Sequence, residues 1–262
     1  LKNKIHLILC PDRTGSTYLR RALTLHKNVI APPENLQIKH AILAPRNKKI
    51  YLDEGVTWDK VEPVLHDCFR TYMDRWIDFM AEVYSKPGGI FILKQVGWVE
   101  EGWAINELCD IFNKSKFLIW KRHPFDTVLS QEKRWIKSNY FDSKNKSFKE
   151  ICELSLIFWD RILEAKRQYL DKGIEVYEEK FENLHGGEET RLDLNVLNDL
   201  FEFFDVGRLE NNDEALDRFL TFKFVRKRKK PEDRWEKLSN EKKEIVRNVL
   251  GNITKKLGYG VK

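Results

Sequence analysis

The sequence predicts an α/β protein built on a parallel sheet, and three observations carry that reading. Short apolar runs at Leu7-Ile8-Leu9-Cys10, Ile90-Phe91-Ile92-Leu93 and Phe117-Leu118-Ile119-Trp120 have the length and continuity of buried strands. Segments of helical spacing alternate with them, as crossovers between parallel strands require. The first run also passes through a glycine-bearing turn directly into a helix, at the strand end where such sheets bind their ligands.

Taken in order, the first helix is marked by Tyr18, Leu19, Ala22 and Leu23. A short strand-like piece around Val29-Ile30 follows, and Pro32 and Pro33 force an extended path beyond it. Residues 37–58 have no clean period and are expected to be irregular and substrate-facing. From Asp59 a stripe of Val61, Leu65, Cys68, Phe69, Tyr72, Trp76, Phe79, Met80 and Val83 predicts a helix, stopped by Lys86-Pro87-Gly88-Gly89. Its aromatics read as core. Lys94 ends the next strand, and Trp103, Ile105, Leu108 and Ile111 mark a helix before the strand at 117–120. Ile151 to Tyr169 spaces out a long amphipathic helix ended by Gly173, and Ile174-Glu175-Val176-Tyr177 reads as a further strand. Leu192 to Phe204 is expected to be helical, and so is Ser239 to Leu257, closed by Gly258.

With 262 residues the chain is expected to form a single domain over 1–262. Hydrophobic residues at 42% exclude disorder, and no apolar run reaches the roughly 18 residues of a membrane helix. Lys and Arg outnumber Asp and Glu by 47 to 41, a net charge of +6 that suits an anionic ligand and equally a solvated surface. Four scattered cysteines (Cys10, Cys68, Cys109, Cys152) read as reduced residues, which favours a reducing, cytoplasmic location.

The loop Pro11-Asp12-Arg13-Thr14-Gly15-Ser16-Thr17-Tyr18 reads as a phosphate cradle. Loop amides and the first N–H groups of a helix have no intrahelical partners and point, with the helix dipole, at an anion. The loop differs from the nucleotide-binding P-loop, because Cys10 stands where the first glycine belongs and Ser16 where the lysine belongs. Its cation is Arg13. Pro-x-Arg-Thr-Gly-Ser-Thr resembles the loop with which sulfotransferases hold the 5′ end of 3′-phosphoadenosine 5′-phosphosulfate (PAPS).

Three later segments extend the resemblance. Arg122 precedes Ser130 by eight residues within Arg-x-Pro-x-Asp, similar to the sulfotransferase segment that holds the 3′-phosphate. With Pro124 in the first helical turn, Ser130 falls roughly 9 Å into the helix at about 1.5 Å per residue. Near the C-terminus, Phe224, Arg226, Lys227 and Trp235 match an aromatic-Arg-Lys-Gly cover loop, with Arg228 in place of the glycine and no glycine before Trp235. Lys180-Phe181-Glu182-Asn183-Leu184 resembles a basic-Tyr-Glu-Asp-Leu segment, but Phe181 lacks the tyrosine hydroxyl. The resemblance implies a three-layer, P-loop NTPase-like fold: a five-stranded parallel sheet with helices on both faces.

It also implies an enzyme that moves a sulfuryl group from PAPS to an acceptor hydroxyl and releases adenosine 3′,5′-bisphosphate. Arg13 and the amides of Thr14, Gly15, Ser16, Thr17 and Tyr18 would stabilise the departing phosphate, and Arg122, Ser130, Phe224, Arg226, Lys227 and Arg228 would hold the nucleotide. Lys94 aligns with a family lysine that contacts the transferred group; a surface lysine is the plain alternative. The acceptor's proton needs a base, for which Glu34 is the first candidate and His40 the second. His123 is expected to shape its turn and His6 to be structural. No metal is expected, since no apolar strand ends in an acidic magnesium ligand. The acceptor's chemistry is open among carbohydrates, lipids, small alcohols, carrier-bound acyl chains and peptide tyrosines. Two other readings are a small-molecule P-loop kinase, which lacks its loop lysine, and a nucleic-acid binder through the basic run 226–230, which lacks a fold motif or a spaced aromatic platform.

Overall fold

The computed structural model describes residues 5–32, 71, 75, 76, 78–80, 82, 83, 86, 89–94, 99, 112, 114–185, 192–209, 217, 219 and 231–260. Five strands form one sheet: β1 (Ile5–Leu9), β2 (Val29–Ile30), β3 (Ile90–Lys94), β4 (Phe117–Lys121) and β5 (Val176–Lys180). Their order is β2-β3-β1-β4-β5, and every pairing is parallel. From β1 the chain goes to one side for β2 and β3 and then to the other for β4 and β5. The end of β1 is therefore the switch point at which a ligand cleft opens in such sheets.

Side-chain alternation along the strands builds two cores. Ile5, Leu7 and Leu9 of β1 face one side with Phe91, Leu93, Phe117 and Ile119. Against them pack α2 (Pro124–Ser138), α3 (Phe148–Asp171) and α7 (Asn240–Lys256), through Val128, Trp135, Phe158, Trp159, Leu250 and others. Ile8, Ile92, Leu118 and Trp120 face the opposite side, against α1 (Ser16–Leu23) and α5 (Leu194–Phe203). Two shorter helices, α4 (Phe181–Leu184) and α6 (Pro231–Glu236), sit at the carboxyl side of the sheet's last strand and before α7. The result is the three-layer arrangement expected, with the period-2 pattern of each central strand buried on both faces.

The helices begin where their caps direct. Ser147 and Glu150 form a reciprocal capping box at α3, and Asp193 and Ser239 accept from the first-turn amides of α5 and α7. Described residues between 71 and 83 are helical, in line with the stripe from Val61, and the stretch carrying Trp103 to Ile111 lies outside the described residues. One strand differs from expectation. Instead of Ile174 to Tyr177, β5 runs on through Glu178, Glu179 and Lys180, paired with Lys121 at its end. An edge strand half open to water tolerates these charges. Glu178 is also tied by Lys121 (2.6 Å) from β4 and by Lys166 from α3.

Candidate active site

The loop after β1 is shaped by its two neighbours in the fold. Gly15 has φ 81° and sits at the N-cap of α1. A Cβ at Gly15 would lie 2.5 Å from the Phe181 ring, so both the backbone conformation and the close approach demand glycine. No side chain caps α1, and its first turn carries no acidic residue. Its positive dipole end is thus left for a ligand. The Tyr18 amide already donates to Gly15 O at 2.9 Å, so the contribution of Tyr18 to the cleft is its ring.

From the other side α2 grips the loop. Gln131 Nε2 donates to Asp12 O (3.1 Å), and Trp135 Nε1 donates to the Asp12 carboxylate (3.3 Å). Arg13, with φ 69°, turns its guanidinium onto α2, where Nε donates to Ser130 Oγ at 3.1 Å. Arg122, directly after β4, donates from Nη1 to Arg13 O at 2.9 Å, and its guanidinium lies 5.2 Å from the Phe181 ring centre. Arg122 also faces Asp126 at 3.9 Å, so the plain ion pair of Arg-x-Pro-x-Asp exists alongside the loop contact. Asp126 is fully buried and faces Arg234 as well, at 3.7 Å. Such a carboxylate holds both arginines in place without cancelling their combined charge.

Lys94 completes the cleft from β3, beside Ile8 of β1. It is 8% exposed, which removes the surface-lysine alternative. A cavity of about 230 Å³ collects Arg13, Arg21, Lys94 and Arg122 around the start of α1, with Asp12 as the one carboxylate on its wall among the described residues. Four cations against one anion, at a helix N-terminus, make a receptor for a multiply charged anion.

The remaining predicted residues separate cleanly. His123 caps α2, its Nδ1 accepting from Phe125 N–H at 3.3 Å, and His6 is buried, stacked on Phe204 and accepting from Lys116 N–H. Both are structural, as expected. Glu34, His40, Phe224, Arg226, Lys227 and Arg228 lie outside the described residues. Trp235, from the same C-terminal segment, packs edge-on against Phe125 with ring centres 4.8 Å apart, next to the start of α2. Sequence reasoning missed Arg21 and Phe219 on the cleft wall. The sequence did hold a signal for Arg21, which stands one helical turn after Tyr18 on α1. Phe219 had none. Tyr18 meets Phe219, Phe181 and His185 at 4.9, 5.7 and 5.2 Å, and burial pushes its hydroxyl pKa upward, keeping it neutral.

The sequence profile described as "Sulfotransferase family" matches residues 7–207, from β1 to just beyond α5. The chain belongs to the sulfotransferase family. Among solved structures, this sulfotransferase is similar to the sulfotransferase domain from the curacin biosynthetic pathway, with TM-score 0.62 and 16% identity over 100% of this chain and 99% of that one. It is also similar to the sulfotransferase domain from the olefin synthase of Synechococcus PCC 7002, with TM-score 0.59 and 17% identity over 99% and 96%. A third similar structure is sulfotransferase STF9 from Mycobacterium avium, with TM-score 0.54 and 13% identity over 96% and 77%. At these identities the likeness establishes the fold. A comparison with curated protein sequences found no match. No helix of the sulfotransferase among its described residues is long and apolar enough to cross a membrane.

Proposed function

We propose that this enzyme transfers a sulfuryl group from PAPS to the hydroxyl of an acceptor, with the 3′-phosphate of the donor recognised by Arg122 and Ser130 and its 5′ end by the loop 13–18. The observation that carries the reading is the bridge from Arg13 to Ser130, closed by Arg122 on Arg13 O. It joins the helix start, which suits one phosphate, to the head of α2, which suits another. The donor set fits such a ligand, because Arg13, Arg21, Lys94 and Arg122 line the wall and Asp12 is the one carboxylate there among the described residues.

Bound there, PAPS supplies the sulfuryl group, whose bond to the 5′-phosphate oxygen breaks as a bond to the acceptor oxygen forms. The chain's residues position and compensate charge. Arg13 and the open N-terminus of α1 balance the phosphate that leaves, and buried Lys94 faces the same cleft from β3. Glu34, or else His40, takes the proton of the acceptor hydroxyl, and Phe224, Arg226, Lys227 and Arg228 cover the nucleotide; all six act from outside the described residues. A thermal-shift titration tests the reading. Adenosine 3′,5′-bisphosphate is expected to raise Tm well above ATP and short DNA at equal concentration. An order led by ATP would overturn it in favour of a kinase, and one led by DNA in favour of a nucleic-acid binder.

A further inference from the structure

The last described residues, Gly258 to Gly260, do not trail from α7 but cross back over the head of α2. Gly258, with φ 77°, makes this turn: its N–H donates to Lys255 O and that of Tyr259 to Thr254 O, the paired bonds of a Schellman ending. The reversed chain is then tied at three successive residues. Lys180 Nζ donates to Gly258 O at 2.6 Å and lies 4.6 Å over the Tyr259 ring. Tyr259 Oη donates to Glu182 Oε2 at 2.8 Å. The imidazole of His123 accepts at Nδ1 from Phe125, so Nε2 carries the proton and donates to Gly260 O at 3.2 Å.

What these ties hold is the residue next to Arg122. The second oxygen of Glu182, Oε1, accepts the backbone N–H of His123 at 3.1 Å. Tyr259, Glu182 and the His123 amide thus form one relay from the tail to the peptide that sets the direction of Arg122 and the first turn of α2. Burial, with the Glu182 charge added, pushes the Tyr259 hydroxyl pKa upward, so the phenol remains a donor throughout the neutral range. None of Tyr259, Glu182 and His123 lines the cleft.

We propose that Tyr259 is a positioning residue for the Arg122–Ser130 half of the site, acting through Glu182 on the His123 amide, so that the tail after α7 is a working part of nucleotide recognition. The inference rests on the proposed reading of that half-site as a 3′-phosphate receptor. A relay of this kind predicts a selective defect. Loosening the peptide before α2 disturbs Arg122 first, while the 5′ cradle keeps its other ties, Trp120 on Thr14 O and Gln131 and Trp135 on Asp12.

The test is calorimetric titration of the full chain and its Tyr259→Phe variant with adenosine 3′,5′-bisphosphate and with AMP. Tyr259→Phe keeps the ring on Lys180 and removes only the donor. The variant is expected to lose about tenfold in bisphosphate affinity, the scale of a hydrogen bond to a charged group, while AMP affinity stays within about twofold. Amide exchange at His123 should quicken in parallel. Unchanged bisphosphate affinity overturns the proposal, and so does an equal loss for both ligands. A wild-type chain that binds both ligands alike sinks the 3′-phosphate reading itself and the inference with it; that failure is read without the variant.

Discussion

The ring of Phe181 occupies the space into which a side chain on Gly15 would project, with 2.5 Å from the built Cβ to the nearest ring carbon. The floor of the loop after β1 is therefore supplied by the helix after the edge strand, far away in sequence. Phe181 also meets Trp120, Tyr18 and the Arg122 guanidinium. One ring fixes the loop, the first helix and the second cation together.

Gly15→Ala is expected to abolish transfer and nucleotide binding. The left-handed backbone alone costs an alanine about 1–2 kcal/mol, and contact with Phe181 adds to it. At about 2–4 °C per kcal/mol, Tm should fall by several degrees. Phe181→Leu in the Gly15→Ala background should recover part of the Tm without restoring binding. A Gly15→Ala protein with wild-type Tm and activity would contradict this account of the loop.

Arg122→Ala should weaken adenosine 3′,5′-bisphosphate by about tenfold or more while changing AMP affinity much less, because charge-assisted bonds to phosphate are the strong ones. Arg122→Lys should rescue little of that loss, since a lysine cannot reach both Arg13 O and a ligand from one planar head. Equal losses for both ligands in calorimetry would place Arg122 outside the 3′-phosphate site.

Glu34→Gln keeps the shape of the side chain and removes its basicity. The expected result is a fall in kcat of about 10² to 10⁴ with bisphosphate affinity unchanged. Near-normal kcat in that variant, with His40→Ala inactive, would transfer the role of base to His40. Activity retained by both variants would remove the two residues from the chemistry.

Stability should weaken in acid through Glu178. Burial alone would push its carboxyl pKa up, but the ammonium groups of Lys121 and Lys166 outweigh burial and hold it below the usual range. A carboxyl depressed in the folded state stabilises the fold above its unfolded pKa, and the contribution is lost as pH falls through the folded value. Glu178→Gln should accordingly lower Tm at neutral pH, with the gap to wild type closing as the pH falls below the usual carboxylate range. A gap that is constant with pH would show that the carboxylate's charge is not what matters there.

The parallel sheet was legible because its central strands are buried on both faces and so appear as unbroken apolar runs. The turn after β1 was legible because an apolar run passes through a glycine flanked by hydroxyls into helical spacing, and the closeness of Arg122 to Ser130 because both lie on one strand-loop-helix unit. Local order carries such signals. What escaped were partnerships between distant segments: Phe181 beneath Gly15, Phe219 beside Tyr18, and Tyr259 on Glu182. The absence of a tyrosine hydroxyl at 181 drew notice in the sequence, whereas the ring itself proves to be the structural contribution. The polar end of β5 escaped for another reason. Glu178, Glu179 and Lys180 have no strand-forming pattern and are held extended by pairing with β4 and by lysines from elsewhere.

The place of β1 at the centre of the sheet fixes when the site can come into being during synthesis. β1 waits for β3 on one side and β4 on the other, and the Trp120 side chain that donates to Thr14 O follows it by 106 residues. Pairings of such long range close slowly. Until β4 is in place the loop has neither its α2 grip nor Arg122, so the cleft is assembled only with the finished sheet. Apolar β1 must meanwhile be shielded from aggregation.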